Sequence, residues 1–182
     1  MVDIQSGSST LEAIIRFRYE TDELFNAVSM RTLLRAKDVV VSDESGTVKS
    51  MVNKWAITEN ERATFLKSLE RAIYDLYPEV IKMTVGIDNS EFVDETIAPL
   101  AGGDDLSGKW SGFQIVNHEA YNENVVNLVD KKINSVLVYL IMVDWYTMIG
   151  VDGEVAKNMA LKDREMIALS DALFDLRKPL LS

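Results

Sequence analysis

Apolar residues recur at helical spacing in four stretches of this chain. Leu11, Ile14, Ile15, Phe17, Leu24, Phe25 and Val28 predict a first helix running out to about Ala36. Arg18 and Asp22 interrupt the stripe, so it reads as one bent helix or as two. Ser9-Thr10-Leu11-Glu12 has the form of a capping box, in which a hydroxyl and a carboxylate exchange hydrogen bonds with the first amides of a helix. Val39-Val40-Val41 reads as a short strand or as the exit from the helix. Asp43-Glu44-Ser45-Gly46-Thr47 is a turn by composition.

The second helix has the clearest start. Thr58-Glu59-Asn60-Glu61 is another capping box, and its acids sit where the helix dipole favours negative charge. Leu66, Leu69, Ile73, Leu76 and Val80 follow at alternating spacings of three and four, a seam suited to a partner helix. Pro78 lacks the amide that would bond Tyr74, so a kink or a restart is expected there. A third helix is predicted from about Asn122 to Ile149, ended by Gly150. One of its seams is Val126, Val129, Ile133, Val136, Leu140 and Val143, and a second face carries Leu128, Leu137, Ile141, Trp145 and Met148. Apolar positions on more than one side mark it as the central helix. Asp152-Gly153 opens a fourth helix through about Leu176, striped by Val155, Met159, Met166, Leu169, Leu173 and Leu176 and stopped by Pro179. The short link makes the third and fourth helices antiparallel neighbours.

Residues 84–118 break the pattern. Five of the nine glycines fall between Gly86 and Gly112, with Pro99 and Gly102-Gly103-Asp104-Asp105 among them, while Phe113-Gln114-Ile115-Val116 reads as a strand. A stretch of this kind inside a compact domain is usually functional or disordered. The expected architecture is therefore mainly α: residues 1–182 form a single helical domain with a four-helix-bundle-like body. Residues 84–118 form an irregular or β-hairpin arm inserted between helices two and three.

Composition narrows the function classes. At 182 residues the chain is long enough to bury a core without a metal or disulfide staple, and it contains no cysteine. Thiol nucleophiles and Cys-based metal sites are excluded. The net charge of −10 opposes binding to phosphate backbones, since nucleic-acid binders usually carry a basic face. Met1–Thr10 is polar and lacks the apolar core of a signal peptide. Ile133–Ile149 holds Asn134, Ser135 and Asp144 and falls short of a spanning segment. A soluble, cytosolic protein without membrane contact is expected.

Candidate chemistry is sparse. His118 is the single histidine and reads as solvated or structural; no serine or carboxylate is assigned to it by spacing. Gly102-Gly103 leads into two aspartates, the wrong charge for a phosphate cradle, and calcium-loop spacing is absent. Asp144 reads as a cap, a salt-bridge partner or a partly exposed position rather than as a catalytic acid. No catalytic residue, metal or cofactor is assigned, and the expectation is a non-enzyme. Trp55 and Trp110 lie outside the seams and are equally well read as plugs of the bundle ends or as interface anchors. With Phe113 and Ile115 of the arm, they form the candidate interface set.

The order of these elements resembles a known family. The resemblance rests on Val28-Ser29-Met30-Arg31-Thr32-Leu33-Leu34-Arg35-Ala36-Lys37 and on Thr58-Glu59-Asn60-Glu61 followed by Phe65-Leu66 and Ala72. It continues through Val136-Leu137-Val138-Tyr139, Trp145-Tyr146, and the closing Leu169, Leu173, Leu176, Arg177, Pro179. It covers most of residues 25–83 and 122–179. This is similar to small virion proteins of tailed bacteriophages, in particular those of Bacteroidetes phages, that act as head–tail connector or adaptor (neck ring) subunits. The resemblance implies a structural homo-oligomer, a dodecameric ring below the portal protein, contacting other neck and tail proteins. DNA would be passing cargo, without sequence-specific binding. The implied location is the virion head–tail interface, with the host cytoplasm as the site of assembly. The alternative from another class is a non-enzymatic helical-bundle regulator that binds a protein partner or a small ligand.

Overall fold

The computed structural model describes residues 2–6, 12–38, 40–42, 48–50, 52–83, 90–94, 110–118 and 121–176. The elements run in the order β1 (Val2–Ser6), β2 (Glu12–Glu20), α1 (Thr21–Asp38), β3 (Val40–Ser42), β4 (Val48–Ser50), α2 (Val52–Trp55), α3 (Arg62–Met83), β5 (Ser90–Asp94), β6 (Trp110–His118), α4 (Glu123–Met148) and α5 (Asp152–Leu176). Four long helices make the body, as the apolar seams require. The sequence and the structure part company over the first of them. Glu12–Glu20 is a strand, and α1 starts only at Thr21. Ile15, Phe17 and Tyr19 alternate with Arg16, Arg18 and Glu20, a period of two that puts one apolar row on a sheet face. Glu12 accordingly begins a strand and caps no helix, while Ser9–Leu11 lie outside the described residues.

That strand is central to a four-stranded antiparallel sheet in the order β1-β2-β6-β5. Ile15 lies opposite Ile115 and Phe17 opposite Phe113, so the inward rows of β2 and β6 coincide. All four side chains are fully buried. Tyr77 of α3 stacks on Phe113 at 6.4 Å between ring centroids, and the Tyr19 hydroxyl donates to the Asp130 carbonyl of α4 at 3.2 Å. Burial, and secondarily the charge of Asp130, hold the Tyr19 phenol well above its ordinary pKa. The segment between α3 and α4 thus contains the expected hairpin, with β5 and β6 paired antiparallel. Its second strand is also built into the core through β2. Residues 84–89, 95–109 and 119–120 lie outside the described residues, Asp104 and Asp105 among them. Val40–Ser42 pairs with Val48–Ser50, which decides for the strand reading after α1.

The helices follow their punctuation. Glu61 accepts from the Thr58 amide at 2.9 Å and Thr58 Oγ1 accepts from the Asn60 amide at 3.3 Å, the expected capping box, here on a 3-10 turn that leads into α3. α3 continues through Pro78 as one helix. Pro78 and Tyr74 are both exposed, so the hydrogen bond that the proline cannot donate is missing on the solvent side of the helix. Asn122 caps α4, and Gly150, at φ +71°, turns the chain back into α5. α4 is the central helix. Ile133, Val136, Leu137 and Ile141 are fully buried in it, whereas Leu128 and Met148 at the ends of its second face stand exposed. Met159, placed in the apolar stripe of α5 by spacing, also points outward.

Cross-helix polar ties complete the body. The Lys132 ammonium meets Glu165 at 2.8 Å between α4 and α5, which, with Arg164, holds that carboxyl below its ordinary pKa. Arg62 pairs with Asp22 and lies 4.8 Å from the Phe25 ring centroid, tying the start of α3 to α1. Thr32 accepts the Ile57 amide at 3.0 Å, so a buried donor before α3 is satisfied from α1.

Candidate functional site

A groove of about 310 Å³ with charged lining lies between α1, α4 and α5. α1 contributes Arg31 and Arg35, one turn apart on one face, with Leu34 and Asp38 beside them. α4 contributes Tyr139 and Met142, and α5 contributes Glu154, Lys157, Asn158 and Leu161.

Glu154 is the anchor of the groove. It is 5% exposed and accepts from Arg35 Nε at 2.5 Å, with the Lys157 ammonium 3.9 Å away. A buried carboxylate without a cation is strongly destabilising, so this pair commits Arg35 to the wall. Glu154 also lies in the first turn of α5, where the helix dipole favours an anion. Asn158 donates to the Glu154 carbonyl at 2.8 Å and closes the floor. The Arg31 guanidinium sits 5.1 Å from the Tyr139 ring centroid, a cation–π contact that orients it over the groove wall. Three cations to two carboxylates leave this groove locally positive on an acidic chain. Apolar Leu34, Met142 and Leu161 lie among them. The chemistry is that of a receptor for an acidic group carried beside an apolar one.

One helical turn beyond Met142, the Tyr146 hydroxyl is buried without a hydrogen-bond partner. Its pKa is pushed up to about 12, first by burial and then by the charge of Glu154, with Arg35 opposing. The unfolded phenol ionises near its ordinary value of 10.0, the folded one later, so stability is intact below pH 10 and falls as pH rises toward 12. Tyr146→Phe is expected to leave the neutral-pH Tm unchanged or raised, since it deletes an unsatisfied polar group. It is also expected to flatten the alkaline decline, as thermal unfolding between pH 9 and 12 will show.

The residues singled out from the sequence are not brought together. Phe113 and Ile115 are 1% and 0% exposed, enclosed between sheet and helices, so neither side chain is available as an interface anchor in the folded chain. Trp55 is half-buried. Its carbonyl accepts the Trp145 indole N–H at 2.8 Å, and its ring meets Tyr146 edge-on at 6.3 Å. Trp110 opens β6 opposite Glu20, and His118 closes it opposite Glu12. Asp144 accepts from Ser68 Oγ at 2.5 Å and from the Arg71 guanidinium, an ion-pair position joining α4 to α3 beside a cleft of about 140 Å³. Among the described residues, no group of three or more metal-ligating side chains converges. The groove itself escaped sequence reasoning because Arg35 and Glu154 are 119 positions apart; the i, i+4 pair Arg31 and Arg35 was its one local sign. Comparison of the chain with family models, with curated proteins and with solved structures finds no match.

Proposed function

We propose that this chain is a structural virion protein of a tailed bacteriophage, a head–tail connector or adaptor subunit whose copies form a ring below the portal. The observation that supports this reading is the set of large apolar side chains left outside a closed core. Met30 and Leu34 stand out on α1, Leu128 and Met148 on α4, and Met159, Ile167 and Phe174 on α5. Isolated exposed apolar residues are ordinary, but these recur on the outward faces of three helices, which suits lateral contact between copies. The net charge of −10 suits the wall of a channel to which passing DNA must not adhere. Among the described residues, no helix is long and apolar enough to cross a membrane.

Size-exclusion chromatography with light scattering, on the full chain alone and with the portal protein, tests the role. A multimer, alone or on the portal, is expected. A species that stays monomeric beside the portal overturns the proposal. The groove favours a second reading, a non-enzymatic regulator binding a protein partner or a small ligand, and that monomeric outcome would support it.

A further inference from the structure

The outer face of α5 carries a regular ridge. Met159, Asp163, Ile167, Asp171 and Phe174 follow one another at steps of four, four, four and three, all exposed. Apolar and acidic side chains alternate along it. Ile167 is 66% exposed, Phe174 54% and Met159 46%, so the apolar members lie open although the buried side of α5 is fully packed. Asp163 meets its neighbour Lys162 at 2.6 Å, a surface pair that contributes little.

We infer that this ridge docks into the α1–α4–α5 groove of a second copy of the chain. The inference rests on the ring reading and names its contact. Complementarity is twofold. Arg31 and Lys157 of the groove offer positive charge to Asp163 and Asp171, and Leu34 and Leu161 offer apolar surface to Ile167. About 310 Å³ admits a few side chains from one helix face rather than a whole helix. At 3.6 residues per turn, the ridge and the groove-lining positions of α5 lie roughly 150° apart around the helix. A copy that inserts its ridge therefore keeps its own groove open for the next. Such a contact is heterologous, and a heterologous contact generates a closed ring where its rotation closes.

The chain contains no cysteine, so Leu34→Cys at the groove rim and Ile167→Cys on the ridge can be introduced singly into the full chain and trapped cleanly. The two variants are mixed under oxidising conditions with the portal present. The mixture is expected to give at least about tenfold more disulfide-linked dimer than either variant alone, because only a ridge-to-groove contact brings these positions within bonding distance. Arg31→Glu in the groove variant is expected to abolish the link, and Asp171→Arg in the ridge variant to restore it. Abundant links from Ile167→Cys alone show a ridge-to-ridge contact and overturn the inference. Assembly by light scattering with no link in the mixture overturns this contact and leaves the ring role standing. No assembly beside the portal overturns both.

Discussion

Gly112→Ala is expected to destabilise the protein by about 3 kcal/mol, a fall in Tm on the order of 10 °C. Gly112 sits in β6 opposite Arg18, and a Cβ built there would lie 1.7 Å from the Phe17 carbonyl oxygen and 2.8 Å from its carbon. Both are backbone atoms of β2, so no side-chain rotation relieves the overlap. The strands must separate, which breaks ladder hydrogen bonds and pulls Phe17 and Phe113 from their packing. Gly153→Ala is the control. Nothing lies within 4 Å of its Cβ, and in the first turn of α5 alanine is expected to be neutral or to stabilise by up to about 1 kcal/mol. Thermal unfolding of the pair checks the close approach of β6 to β2. Equal Tm values would contradict it.

The second large effect lies in α4. Ile133→Ala is expected to cost about 2–5 kcal/mol, through lost burial and through the cavity left where α4 is enclosed on several sides. Leu128→Ala, five residues earlier on the same helix, is expected to change stability by no more than about 0.5 kcal/mol. Ile133 is 0% exposed and Leu128 44%, although both belong to apolar faces legible from spacing. Urea denaturation of both variants tests whether α4 is buried at its middle and open at its end. Similar losses at both positions would place Leu128 in the core instead.

How much of the fold was legible depends on how local the deciding signal is. α5 runs Asp152–Leu176 and α4 runs Glu123–Met148, within a residue of the bounds read from Asn122, Gly150 and Asp152-Gly153. Caps and turn glycines act over a few residues, so sequence reports them faithfully. β2 is hidden in the sequence because Leu11, Ile14 and Ile15 also fit helical spacing. The alternation Ile15, Phe17, Tyr19 was present, but its weight depends on β6, which lies far along the chain. Val2–Ser6 carried no comparable sign; it is a five-residue edge strand whose existence follows from the register of β2. The candidate interface fared by the same rule. The glycines and Pro99 around Phe113 and Ile115 read locally as an arm, whereas their pairing with Phe17 and Ile15 of β2 is a long-range fact. The groove depends on α1 meeting α5 through Arg35 and Glu154, a pairing that no window of sequence contains.

The most direct test of the assembly role is a cryo-EM reconstruction of the neck of purified virions that contain this chain. A ring of copies is expected immediately below the portal, each fitting the four helices and the β1-β2-β6-β5 sheet, with the α5 ridge of one copy against α1 of the next. A neck resolved to side-chain detail in which this chain occupies no ring would contradict it.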